Sequence, residues 1–258
     1  MIIELVLSGL ILLVFIVIAF LVGTIKKNNS IIDIFYGPGY VILLWSSLIF
    51  SSDFALRKII LTSLVTLWGF RLAIYIMIRN WGKPEDYRYR AIRKRMGDNV
   101  ILKSFFKIYL FQGLIIFLVG FPVLFANVSS HSMLDWLDFL GVGLWIVGFY
   151  FESVGDYQLR KFLKNPESKG KIMDQGLWKY TQHPNYWGEV LMQFSLYLIV
   201  LNVEYGVFMI FGPIIITFMI IKVSGVRLLD KRFEKDDMYT DYKKRTSAFI
   251  PWFPKKKK

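Results

Sequence analysis

The stretch LVLSGLILLVFIVIAFLVGTI, residues 5–25, decides the fold, because it runs 21 residues without a charge. An α-helix rises about 1.5 Å per residue, so roughly 20 apolar residues cross a hydrocarbon core of about 30 Å. Lipid offers no water to the backbone, and a spanning segment must satisfy its N–H and C=O groups internally, as a helix does. Residues 1–4 carry no base. The stretch also exceeds the roughly 7–15 apolar residues of a signal-peptide core, so it reads as a retained span. Three further blocks share the property: 34–52 with 19 uncharged residues, 108–128 with 21 and 205–221 with 17.

Working outward, seven hydrophobic segments emerge, at 5–25, 34–52, 59–78, 105–128, 134–151, 186–203 and 205–221. The expected fold is all-α, a polytopic transmembrane bundle of about seven helices forming a single integral membrane domain over 1–258. The sixth segment is short: 190–203 holds 14 uncharged residues, about 21 Å of helix, so 185–189 must complete the crossing or the segment dips and returns.

Charge gives a topology. Residues 79–104 carry eight Lys or Arg, 152–185 six and the chain from Lys222 twelve, whereas 127–133 and 202–204 carry none. The positive-inside rule puts the basic loops in the cytoplasm, with the N-terminus out and the C-terminus in. Arg57 and Lys58 fall on the wrong side of that scheme. The net charge of +13 then reads as cytoplasmic loops and contact with anionic lipid, not as nucleic-acid binding. The run at 255–258 reads as a solvated or lipid-touching tail. With no cysteine and only His131 and His183, disulfides, thiolate nucleophiles and a metal centre are not expected.

Polar residues at membrane depth are costly, so each is a candidate for function. Arg71, Tyr75 and Arg79 recur at four-residue spacing and share one helix face. Arg79 can equally snorkel to the headgroups while Arg71 pairs with a carboxylate. Glu85-Asp86-Tyr87-Arg88-Tyr89-Arg90 reads by composition as a solvated interfacial loop. Glu152, Asp156 and Arg160 repeat the four-residue spacing, suiting either a ligand-facing surface or an exposed ion pair. The richest stretch is Gln175 to Glu189. Pro184 fits a first helical turn, Asn185 and Glu189 then share a face with Tyr186 close to it, and His183 sits at the helix mouth, where free amides favour anions. An interfacial aromatic belt explains Trp and Tyr there, but not His, Asn and Glu in register with them.

Gly176-Leu177-Trp178, His183-Pro184-Asn185-Tyr186 and Gly188-Glu189 together resemble the C-terminal signature of the steroid 5-alpha-reductase-like membrane family, nearest to its bacterial DUF1295 branch. Asp33 with Gly37, Trp68-Gly69-Phe70-Arg71-Leu72, Glu85 to Tyr89, Gln112-Gly113, Glu152 to Leu159, Tyr239 with Tyr242, and Ile250-Pro251-Trp252 fit that branch in order and spacing. The resemblance implies a bundle in the bacterial inner membrane that binds NADPH near its cytoplasmic side, in a C-terminal half of about 134–258. It also implies reduction of a C=C bond conjugated to a carbonyl in a lipid-like substrate. Cofactor-contacting positions carry over to Asp156, Asn185, Tyr186 and Arg227, with His183 and Glu189 in the same motif and Lys231 as a further phosphate partner. Tyr75 approximates the tyrosine that pairs with the family's carbonyl-polarising glutamate, and Tyr75 or another acid in the bundle would donate the proton.

The sequence departs from the family at two points. Gln182 stands where an Arg usually precedes His-Pro-Asn-Tyr, and no Gln-Glu-Leu-Pro setting is present. The isoprenylcysteine carboxyl methyltransferases share a similar fold and motif but bind S-adenosylmethionine, which keeps a lipid methyltransferase open. A non-catalytic lipid-binding protein on the same scaffold is the third expectation.

Overall fold

A computed structural model describes residues 1–129, 133–227, 233 and 236–255. Apart from short connections and one isolated β-bridge, these residues are helical. In chain order the helices are α1 (Ile2–Ile25), α2 (Ile32–Phe50, led by a 3-10 turn at Asn29–Ile31), α3 (Leu56–Asn80), α4 (Tyr87–Lys94), α5 (Val100–Val128), α6 (Trp136–Lys164), α7 (Pro184–Val200), α8 (Gly206–Val223) and α9 (Asp237–Arg245). Six of these, α1, α2, α3, α5, α6 and α8, are long and apolar enough to cross a membrane. The remaining hydrophobic segment, the sixth in chain order, is α7, whose 17 residues make about 26 Å of helix, just under a full crossing.

Hydropathy located the segments but not their ends. The fifth segment stops at 151 because Glu152 and Asp156 interrupt it, yet α6 continues to Lys164 and buries both carboxylates. Its start is set locally by a capping box. The Asp135 carboxylate accepts the Leu137 N–H at 2.9 Å, and the Asp138 carboxylate accepts the Asp135 N–H at 2.8 Å.

Contacts divide the chain into two compact units, Met1–Leu134 with Val200–Gly212, and Asp135–Ile199 with Pro213–Lys258. In the first, α2 is central and packs on α1, α3 and α5. Apolar packing by Ile16, Leu43, Leu44, Leu61 and Ile116 fills the interior. The α2–α3 contact is backbone to backbone: a Cβ added at Gly37 would lie 2.2 Å from the Gly69 carbonyl oxygen. Small residues allow this approach, which lipid-embedded helices use because no hydrophobic effect drives them together. Toward the C-terminal end of α2, Asn127 of α5 ties three helices, its Nδ2 lying 3.0 Å from both Ser47 Oγ and Thr62 Oγ1.

Two sequence expectations change here. Arg57 and Lys58 are not loop charges; each is 1% exposed. Arg57 donates to the Met133 carbonyl at 2.9 Å, and Lys58 bonds Ser51 Oγ at 2.6 Å and Asp53 at 3.0 Å. The Glu85–Arg90 run is not a solvated loop either. Buried Glu85 accepts the Asn29 N–H at 2.8 Å and pairs with Arg93. Arg88 bridges Asp86 and Asp33, each at 3.0 Å, and the Tyr89 hydroxyl donates to Asp33. Burial and the Asp33 carboxylate push the Tyr89 hydroxyl well above its ordinary pKa. For Asp86 burial acts upward, but bonds from Arg88 prevail and hold its carboxyl below the usual value.

In the second unit, α6 and α7 run antiparallel along glycines seven residues apart. A Cβ at Gly141 would lie 2.8 Å from Ser195 O, at Gly148 2.7 Å from Gly188 O, and at Gly155 3.2 Å from Asn185 N. Gly148→Ala is therefore expected to lower thermal stability in detergent, by about 1–3 kcal/mol as for an overpacked core. Gly143→Ala, on the same helix with open space around it, should be neutral or raise stability by a few tenths to about 1 kcal/mol. Equal melting of the two variants would refute the close contact.

Candidate functional site

The α6–α7 contact presents two buried acids, Glu152 and Asp156, to the first turn of α7. Pro184 opens that helix; its missing N–H removes a donor that would have no helical partner. One residue on, Asn185 donates from Nδ2 to Asp156 Oδ1 at 3.0 Å. Its Oδ1 is buried and has no hydrogen-bond partner among the described residues. The hydroxyl of Ser153, one turn before Asp156, is buried in the same condition. A buried acceptor left unmet costs about 1–3 kcal/mol, so such atoms call for a donor beyond the described residues.

His183 is 2% exposed. Its ring stacks on Tyr186 with centroids 5.7 Å apart, its N–H donates to Thr181 Oγ1 at 3.3 Å, and its carbonyl accepts the Trp187 N–H at 2.9 Å. Tyr186 also adjoins the chain just past α8, since a Cβ on Gly225 would lie 3.0 Å from its ring. Glu189, one turn beyond Asn185, is half-buried, and Arg227 is exposed. Lys231 lies outside the described residues. Asp156, His183, Asn185 and Tyr186 are thus gathered around the start of α7.

The loop before His183 is held from both sides. Toward α6, Leu177 N–H donates to Gln158 Oε1 at 2.9 Å and the Trp178 indole donates to Gly155 O at 3.1 Å. Gly176 has φ +59°, a left-handed conformation that suits glycine. A Cβ there would lie 2.5 Å from the Gln158 amide. From the other side, α9 and the chain after it form a clamp. Tyr242 donates its hydroxyl to Trp178 O at 2.6 Å, Thr181 Oγ1 donates to Phe249 O at 2.7 Å, and Trp252 N–H donates to Tyr180 O at 2.9 Å. Gln182 is part of this clamp, its Nε2 donating to Thr246 O at 2.8 Å and its N–H to Ser247 O at 2.9 Å. Position 182 therefore serves as a tie to the C-terminal segment. The sequence could not show this, because the partners are backbone carbonyls more than 60 residues away.

In the first unit, Tyr75 lies between two cations on α3. The Arg71 and Arg79 guanidinium carbons stand 5.9 and 5.7 Å from its ring centre, within cation–π range. Trp68, two turns before Tyr75, packs on Tyr40 of α2, whose hydroxyl hydrogen-bonds that of Tyr36 at 2.9 Å. This aromatic face was missed in the sequence, although Tyr36 and Tyr40 are spaced for it.

Burial pushes the Tyr242 hydroxyl above its ordinary pKa, so its neutral form is worth more in the folded state. That stability is fully present below the unfolded value, about 10, and is lost as pH rises through the folded one. Tyr242→Phe leaves two buried carbonyls short of a donor and should cost about 1–3 kcal/mol at neutral pH. The gap between variant and wild type should narrow in alkali. Thermal melts across pH 7–11 check this (about 10 being the turning point), and a constant gap would contradict it.

Comparison with known proteins fits this arrangement. The profile of the family described as "Protein of unknown function (DUF1295)" matches residues 19–246. A Schizosaccharomyces pombe (strain 972 / ATCC 24843) protein described as "Uncharacterized protein C594.04c" is 27% identical over 64% of this chain and 51% of its own. The chain thus spans about half the length of that relative. No solved structure matches significantly. The family match takes in both units and the whole of the Gln175–Glu189 stretch, and the chain belongs to the DUF1295 family.

Proposed function

We propose that this protein is a membrane-embedded reductase that uses NADPH to saturate a C=C bond conjugated to a carbonyl in a lipid-like substrate. The observation that carries the reading is the Asp156–Asn185 pair with its open, buried amide oxygen. Both side chains offer acceptors, so they suit a ligand rich in donors. A nicotinamide carboxamide and ribose hydroxyls are such donors, and the pair fits that group. Arg227 and Lys231 are the phosphate partners in this reading. His183 and Tyr186 form the stacked wall beside the pair, and Glu189 extends its acceptor face by one turn. The resemblance to steroid 5-alpha-reductase-like enzymes supports the same chemistry.

A bound nicotinamide supplies hydride to the β-carbon of the conjugated system. The protein's own part is to bind, orient and protonate. Asp156 fixes the Asn185 amide so that its oxygen faces the ligand. Tyr75, whose ring the Arg71 and Arg79 guanidinium groups flank, is the proposed proton donor to the substrate carbonyl. The enol so formed would give its O–H proton back to the phenolate as the α-carbon takes one from solvent, leaving a saturated ketone. We place the protein in the bacterial cytoplasmic membrane, N-terminus out and C-terminus in. The burial of Arg57 and Lys58 inside the bundle supports that orientation, because it removes the two charges that opposed it.

The same acceptor pair suits the α-ammonium group of S-adenosylmethionine, which keeps a lipid methyltransferase as the second reading. Thermal stability of the purified protein with NADPH, NADH or S-adenosylmethionine separates the two. A ligand at about 100 times its Kd stabilises the folded state by about 2.7 kcal/mol. NADPH should raise the melting temperature, and Asn185→Ala and Asp156→Ala should abolish the shift. Tyr75→Phe should keep the shift but lower enone-lipid turnover at least tenfold. A shift with S-adenosylmethionine alone overturns the reductase.

A further inference from the structure

Residues 246–255 contain no helix, yet they hold large exposed apolar side chains. Ile250, Trp252 and Phe253 are 67, 71 and 78% exposed. They are held in place: Trp252 N–H donates to Tyr180 O and Lys255 N–H to Arg245 O, both at 2.9 Å. The Phe253 ring lies 6.2 Å from Tyr180 and 6.4 Å from Trp252. A fixed apolar patch of this kind is unfavourable in water and marks a contact surface.

Its rim is basic. Lys179 precedes Tyr180, Lys244 lies in the last turn of α9 beside Arg245, and Lys255 is tied to Arg245 through the backbone. The neighbouring acids, Asp174 and Asp241, are both engaged by Arg245 at 2.6 and 3.4 Å. Helix length gives a scale for depth. Trp178, two residues before Tyr180, is bonded to Gly155 O. Gly155 lies 19 residues past the start of α6 at Trp136, about 28 Å along the helix, a distance comparable to the roughly 30 Å of a hydrocarbon core. Aromatic rings and lysines together at that level are the signature of an interfacial anchor on anionic lipid.

We infer that Tyr180, Ile250, Trp252 and Phe253, rimmed by Lys179, Lys244 and Lys255, insert into the headgroup region of an anionic leaflet. The lipid contact then tightens the clamp on Thr181 and Gln182, making the order of the loop before His183 dependent on lipid charge. The inference stands apart from the reductase reading, since it concerns the clamp and not the ligand.

The chain has no cysteine, so Phe253→Cys gives a single nitroxide site. Its depth can be read by oxygen and nickel-chelate relaxation, calibrated against headgroup- and acyl-labelled lipid. In discs of phosphatidylcholine with phosphatidylglycerol the label should sit at or below the headgroups; an aqueous reading overturns the anchor. Hydrogen exchange of the segment containing the Gln182 amide should be several-fold slower in those discs than in phosphatidylcholine alone. The triple variant Lys179→Gln, Lys244→Gln, Lys255→Gln should lose that difference. Equal exchange of the wild type in both lipids overturns the coupling, and an unchanged difference in the triple variant overturns the role of the lysines.

Discussion

The close approach of α6 and α7 is the constraint on which the second unit depends. Three glycines at seven-residue spacing let the two backbones meet with nothing between them. In lipid this contact is not driven by the hydrophobic effect, because acyl chains solvate apolar side chains as well as protein does. Dispersion between closely matched surfaces must supply the energy, and only glycine permits the match. The geometric result is chemical. Side chains next to the glycines are carried into the seam, so Glu152 and Asp156 become buried and Asp156 meets Asn185. Without the glycines the two acids would face a wider gap, and the amide would lose the partner that orients it.

The first unit solves a different problem. It buries several charges, and an isolated charge in a low-dielectric interior is prohibitive. Three of the buried or half-buried clusters are neutralised locally. Glu85 and Arg93 neutralise each other, Arg88 serves two carboxylates, and Lys58 meets Asp53. The bonds of Glu85 and Arg88 link the turn before α2, the start of α2 and α4. Polar bonding therefore sets the connection at one end of α2, while the Asn127 knot does so toward the other.

Much of the fold was legible because lipid imposes a length rule on helices. Uncharged runs such as 5–25 and 108–128 can be read directly, and they became α1 and most of α5. What hydropathy could not see is where a helix ends once it leaves the apolar zone, so α6 extends thirteen residues past the segment that announced it. The candidate site was partly legible. Pro184 marked a helix start, whereas the hydrogen bond between Asn185 and Asp156 was not read from the sequence. Gln182 was not legible, since its role rests on carbonyls far along the chain. The glycine stripe of α6 was visible in the sequence but carries no weight in a hydropathy reading. Glu85 read as solvated because composition does not reveal that a distant Asn29 N–H awaits it.

The clamp also has a consequence for synthesis. Thr181 waits for Phe249, 68 residues later, and at about 5–20 residues per second that is a delay of roughly 3–14 s. All six helices long enough to span will already have been made, while the loop before His183 still lacks one of its two walls. The candidate site is thus completed after the spans, by the segment that carries Phe249 and Trp252. A truncated product would be a well-inserted bundle with an unfinished site, and its presence in the membrane would say nothing about its competence.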